Sequence, residues 1–160
     1  MQISANYKLD GRTVFQGLPI SIENKKGSVR QGVDKVTGKP WRTLMKFDYG
    51  YIRKSDGVDG DAVDCYIGPN ENAKYAFVIN QNDPNSGKFD EQKVMLGWDN
   101  SEDAKKAYFQ HYDNPERFFG SIEAIPMEKF KQKVLATFNN PKKIAAQFKL
   151  EAAMMLYLKK

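Results

Sequence analysis

The chain has 160 residues, 41% hydrophobic and 28% charged, and carries a formal net charge of +5. That balance supports one folded domain with a core of its own and excludes a disordered chain. No run approaches the ~20 apolar residues of a membrane-spanning helix, and the N-terminus lacks a signal-peptide pattern, so a soluble protein with no membrane partner is expected.

In chain order, residues 6–23 alternate apolar and polar around Asp10-Gly11, which predicts a hairpin. Turns at 23–27 and 34–38 bracket a short strand over 29–33, and Trp41 to Phe47 leads into the central stretch. From Ala62 the period is two, placing Val63, Cys65 and Ile67 on one face and Asp64 and Tyr66 on the other, until Gly68-Pro69 ends the strand. Further strands are predicted over 75–79 and 91–98, with a loop over 81–87 between them. The remainder reads as helical. Asn100 followed by Asp103 is an N-cap signal, Pro126 suits a first helical position, and Asn140-Pro141 opens a third helix carrying Ile144, Phe148, Ala152 and Met155. The class is α+β, a β-barrel-like body followed by helices.

The single cysteine, Cys65, cannot form an internal disulfide, which suits a reducing cytoplasm. The lone His111 lacks the second His or the Cys that a zinc site needs, and reads as structural. Lysines are spread along the chain, with no interleaved aromatics that would mark a nucleic-acid groove, so no specific nucleic-acid binding is expected.

The chemistry concentrates at Asp56, Asp59, Asp61 and Asp64, beside Gly57 and Gly60 and just ahead of a strand. Carboxylates that close repel one another, and oxygen-only ligands at short spacing suit a hard cation, Mg2+ before Ca2+. Asp83, Asp90, Glu91 and Lys93 could complete a site, Glu91 and Lys93 sharing a strand face. Arg30, Arg42, Tyr49 and Tyr51 add groups suited to phosphate, against the plainer reading of arginines that keep a strand surface wet. Asp59-Gly-Asp-Ala-Val63 fits the D-x-D-x-[VT] pattern of aspartyl-phosphate phosphohydrolases poorly, because Arg53-Lys-Ser-Asp-Gly57 precedes it in place of a buried strand. An EF-hand fails on its missing Gly and Glu.

Tyr49-Gly-Tyr-Ile52 followed by Asp59-Gly-Asp-Ala-Val-Asp64 resembles the signature of the soluble, Mg2+-dependent inorganic pyrophosphatases. Gly17 to Asn24, Asp48 to Ile52 and Phe89 to Gly97 are similar to stretches of the pyrophosphatase-like domains of phages and other mobile elements. The resemblance covers roughly residues 7–135. It implies an OB-like antiparallel barrel, closed or partly open, with flanking C-terminal helices. A catalytic domain over 1–136 would precede a helical extension over 137–160, docked on the body or on another subunit of a homo-oligomer.

Residue by residue, the resemblance implies that Asp59 and Asp64 bind metal and that Asp61 holds and deprotonates the attacking water. Glu91, or Asp90 beside it, and Asp83 are implied as further metal ligands, with Glu23 a loose match for an early glutamate. Arg30, Tyr49, Lys93 and Tyr112 are implied phosphate ligands. Ala62 stands where the signature has Pro or Glu, and Asp113 where it has a lysine, whose charge Arg117 would replace. The expected activity is hydrolysis of pyrophosphate with Mg2+, or Mn2+ in its place, in the cytoplasm, of a bacterial host if the chain is phage-encoded. The alternatives are hydrolysis of another phosphoanhydride such as a nucleotide, and a virion-associated binding domain without turnover.

Overall fold

In the computed structural model, residues 11–144 are described. Strands β1 (Gly11–Phe15) and β2 (Leu18–Asn24) form the first hairpin. Its turn is Gln16-Gly17, not Asp10-Gly11; Asp10 itself lies outside the described residues. Gln16 and Gly17 both have positive φ, 47° and 88°, the pair of values that matches a two-residue loop to the strands' right-handed twist. Among the described residues, β3 (Val29–Val33) and β4 (Pro40–Leu44) pair only with each other and form an arm outside the main sheet.

The main sheet continues with β5 (Asp48–Ile52), β6 (Asp64–Ile67), β7 (Tyr75–Asn82) and β8 (Phe89–Leu96). Helices α1 (Ser101–Phe109) and α2 (Pro115–Phe118) precede β9 (Phe119–Pro126), and α3 (Met127–Leu135) follows it. The strand order is β1-β2-β5-β6-β8-β7-β9. β8 enters between β6 and β7, which makes β6–β8 parallel while the other ladders are antiparallel. The α+β class holds, and of the expected antiparallel barrel, closed or partly open, closure and the all-antiparallel pairing are corrected to an open, mixed seven-stranded sheet: among the described residues β1 and β9 form no ladder. The sheet nevertheless curls, because Phe15 at one end and Ile125 at the other enter the same core.

That core lies on one face, where Ile20, Ile52, Cys65, Val94 and Leu96 meet Phe130 and Val134 of α3. The opposite face carries a second core, in which Tyr49, Tyr66, Phe77 and Met95 meet Ala104 and Tyr108 of α1. The alternation read at 63–67 thus holds, with both faces covered.

α1 starts as predicted, with the Asn100 side chain accepting from the Asp103 N–H at 2.8 Å. The all-helical reading of the C-terminal part is corrected by β9. Ile122 and Ile125 are three apart, a helical spacing, but odd separation along a strand puts them on opposite faces, one in each core. Pro126 ends β9 in extended conformation and caps α3, which begins at Met127. Thr137 and Ile144 are buried against the body. Phe148, Ala152 and Met155 lie outside the described residues.

Candidate active site

The parallel pair fixes the site. Asp64 is in register with Lys93 on β8, which is in turn opposite Ile79 on β7. Alternation places Asp64 and Tyr66, Glu91 and Lys93, and Gln81 on the face that carries the second core. Lys93 is buried there, and its ammonium is fully engaged: Nζ donates to Tyr49 Oη at 2.7 Å, to Asp64 Oδ2 at 3.0 Å and to Glu91 Oε1 at 2.8 Å. Tyr49 donates in turn to Asp64 Oδ2 at 2.8 Å. Burial opposes the charge on Lys93, but Tyr49, Asp64 and Glu91 outweigh it and raise its pKa well above the ordinary lysine value. Burial also pushes the Tyr49, Tyr66 and Tyr112 phenols up, so all three stay protonated donors.

Gln81 extends this network. Its Oε1 accepts from Tyr108 at 2.6 Å and from Tyr112 at 3.1 Å, and its Nε2 donates to Glu91 Oε1 at 3.3 Å. Sequence reasoning left Gln81 in a loop, although a polar residue two positions beyond Phe77 and Ile79 prolongs a buried strand face. Tyr66 and Tyr108 likewise stand outside the candidate site residues read from the sequence.

Above this face the β3–β4 arm roofs a cavity of about 500 Å³. Arg30, Trp41 and Arg42 line it from the arm, Tyr66, Gln81, Glu91 and Lys93 from the sheet, and His111 to Asn114 with Arg117 from the segment after α1. The arm is fastened at its base by His111, whose Nε2 accepts from the Lys46 N–H at 3.0 Å while its Nδ1 donates to the Ala107 carbonyl at 2.7 Å. Thr43 Oγ1 also donates to the His111 carbonyl, at 3.2 Å. The lone histidine is structural, as its sequence context suggests.

The expected acidic ligands divide. Asp59 and Asp61 lie exposed in the loop before β6, with Asp59 Oδ1 accepting from the Asp61 N–H at 3.1 Å. The Asp59 carboxyl reaches Glu91, whose own carboxyl burial pushes up while Lys93 holds it down. Asp56 turns away, its backbone N–H donating to Thr137 Oγ1 at 3.0 Å. Asp83 caps the β7–β8 turn, accepting from the N–H groups of Asn85 and Ser86 at 2.8 and 3.0 Å. Asp90 is exposed beside Glu91, and its pKa is raised by partial burial and by that neighbour. Glu23 sits at an irregularity in the β2–β5 register, close enough for its charge to act on Cys65. Arg117 donates to the Pro84 carbonyl at 2.7 Å, bridging α2 to the β7–β8 turn.

Among the described residues no three His, Cys, Asp or Glu groups converge as a finished metal site. The donor chemistry nonetheless fits a hard divalent cation. Its donors are oxygens alone: two carboxyls, Asp59 and Glu91, reach each other, and Glu91 shares the Lys93 ammonium with Asp64.

No curated protein matches the chain. Solved structures that match include an inorganic phosphatase from Anaplasma phagocytophilum, at 16% identity over 78% of this chain and 92% of that one, with a TM-score of 0.46. Also matching are the inorganic pyrophosphatases of Helicobacter pylori (18% identity, 76% and 92% coverage, TM-score 0.46) and Coxiella burnetii (15% identity, 77% and 92% coverage, TM-score 0.44). At those values they describe what the chain is similar to. No helix among the described residues is long and apolar enough to cross a membrane. The Inorganic Pyrophosphatase family matches residues 1–152, nearly the whole chain and beyond the 7–135 suggested by motif resemblance. The chain belongs to the inorganic pyrophosphatase family, hydrolases of inorganic pyrophosphate.

Proposed function

We propose that the cavity between the arm and the β6–β8 strands is where this chain hydrolyses pyrophosphate, with Asp61 as the base. The observation that carries the reading is the buried ammonium of Lys93 held between Asp64 and Glu91, with the Tyr49 hydroxyl as its third partner. Asp59, Asp64 and Glu91 would hold Mg2+, with Asp90, Asp83 and Glu23 at the margin. When bound, the cation neutralises phosphate charge and acidifies water.

The chain's own residues do the rest. Asp61, exposed at the mouth of β6, accepts the proton of the attacking water as the new P–O bond forms. The bridging oxygen leaves with the electron pair of the broken P–O bond, as phosphate. Arg30 and Lys93 supply positive charge to it from the cavity wall, with Arg117 at the rim. Tyr49, behind Lys93, and Tyr112 would donate to phosphate on releasing Asp64 and Gln81, the present acceptors of their single O–H groups. All three Lys93 donors are already engaged, so phosphate binding by Lys93 requires one of those bonds to be given up. The single, non-disulfide Cys65 supports a cytoplasmic setting. Motif similarity alone supports kinship with phage and mobile-element domains, and docking of residues 137–160 on the body or on a second copy remains part of the proposal.

The cavity volume, about 500 Å³, favours one second reading. It lies in the range of sites that enclose drug-sized ligands, which admits a nucleotide phosphoanhydride. Phosphate release from pyrophosphate and from a nucleoside triphosphate, with Mg2+ or with EDTA, separates the two. Asp61→Asn is expected to lose roughly 100- to 10,000-fold in kcat at saturating Mg2+. Near-normal turnover of that variant would overturn the role of Asp61. A wild-type chain that hydrolyses neither substrate would overturn the assignment of the cavity as a working active site.

A further inference from the structure

The two cations of the site, Lys93 buried and Arg30 half-buried, are held in opposite ways. Lys93 has every ammonium N–H engaged, whereas the Arg30 guanidinium, among the described residues, makes no hydrogen bond and no ion pair, with Asp64 acting on its charge only from a distance. Its guanidinium is held by rings, with Cζ 4.6 Å from the centre of Tyr49 and 5.1 Å from that of Trp41. Aromatic faces attract the flat cation and leave its N–H edge unfilled, the edge that grips phosphate bidentately. Tyr49 belongs to the sheet and to the Lys93 network, so Arg30 is aligned with that network through a shared ring.

Trp41 is available for this because of Gly32. The two are cross-strand partners in the arm, and the indole lies across the glycine: a Cβ built at Gly32 would stand 2.6 Å from Trp41 Cζ2 and 2.9 Å from Cε2. A side chain at 32 would lift the indole from β3, where Arg30 stands two residues away. Trp41 is 38% exposed, so packing in a core does not explain its place.

We infer that Trp41, seated on Gly32, is a positioning residue that presents Arg30 to the substrate's phosphate. This rests on the reading of the cavity as the pyrophosphate site. Trp41 touches no reacting atom and acts through the guanidinium.

The test compares Trp41→Ala, Trp41→Phe, Gly32→Val, Arg30→Ala and the Trp41→Ala/Arg30→Ala pair, each checked for an unchanged melting midpoint. Trp41→Ala is expected to raise KM for pyrophosphate roughly 3- to 30-fold, the range of one cation–π contact, with a smaller change in kcat. Gly32→Val, which keeps every site residue, should give the same defect, and Trp41→Phe should restore most of the affinity. In the Arg30→Ala background, Trp41→Ala should add nothing. An unchanged KM in Trp41→Ala, or full additivity with Arg30→Ala, overturns the inference. Indole fluorescence gives a readout independent of turnover. Pyrophosphate should change the emission of the wild type in a saturable way, and the change should vanish in Trp41→Phe, which leaves only Trp98, and in Arg30→Ala. A wild type without turnover but with this signal would sink the catalytic reading and leave the positioning role standing. A signal that survives in Arg30→Ala would overturn the positioning role.

Discussion

Lys93 is the residue on which the most interactions of the site depend. Its single positive charge is shared by two carboxylates that are themselves only about a quarter exposed, Asp64 at 24% and Glu91 at 22%. Removing one member of a buried charge network leaves the others uncompensated, which costs more than the network contributes while intact. Lys93→Met is therefore expected to lower stability by about 3 kcal/mol in chemical denaturation. Lys93→Arg, which keeps the charge, should lose less. His111 governs a different response. Burial lowers its pKa below the ordinary 6.5, against a smaller opposing effect of the Ala107 carbonyl, so the folded chain holds it neutral. Between that lowered value and 6.5 the unfolded chain binds the extra proton, and stability rises with pH. The contribution is complete above pH 6.5 and is lost as pH falls through the folded value. The melting midpoint should thus drop on acidification below 6.5, and the part due to this residue should be absent in His111→Gln.

At the scale of elements, α1 and the arm enclose the cavity by different means. α1 is fixed by its apolar face and by its cap, and Asn100→Ala is expected to cost about 1 kcal/mol, seen as a melting midpoint roughly 2–4 °C lower. Among the described residues the arm has no ladder to the main sheet, and it is held by His111 and by ring contacts of Arg30. How legible each element was follows from the range of the interactions that make it. The Asn100 cap and the 62–67 alternation are local patterns, and both could be read from neighbouring residues. β9 could not, because its two isoleucines serve opposite faces and its identity comes from pairing with β7, some forty residues earlier. The acidic loop and Lys93 stood out by composition. Gln81 did not, because its role lies in two tyrosine hydroxyls brought to it by α1 and the segment after it. The open sheet was equally hidden: nothing local announces that β8 enters between β6 and β7.

For the whole molecule, the segment after α3 is integrated with the loop that bears the acidic residues. Thr137 Oγ1 accepts from Asp56, and the Ile144 N–H donates to Gln92 Oε1 at 2.9 Å while its side chain is buried in the first core. Ile144→Ala is expected to destabilise the chain by about 3 kcal/mol through the cavity it leaves, measured by urea titration with an unchanged m-value. A loss below about 1 kcal/mol would show that this stretch only rests on the surface.

The place of β8 between β6 and β7 also bears on how the chain is made. Strand β6 leaves the ribosome with one edge paired to β5 and the other bare, and the strand that will cover that edge is synthesised only after β7. About thirty residues separate the end of β6 from the end of β8, roughly 1.5 to 6 s of synthesis at 5 to 20 residues per second. Through that interval the nascent chain carries an open edge bearing Cys65 and Tyr66, residues that end up fully covered. The same insertion that brings Asp64 beside Lys93 thus leaves that edge to be covered late, and the cavity over it cannot be completed before β8 has been made.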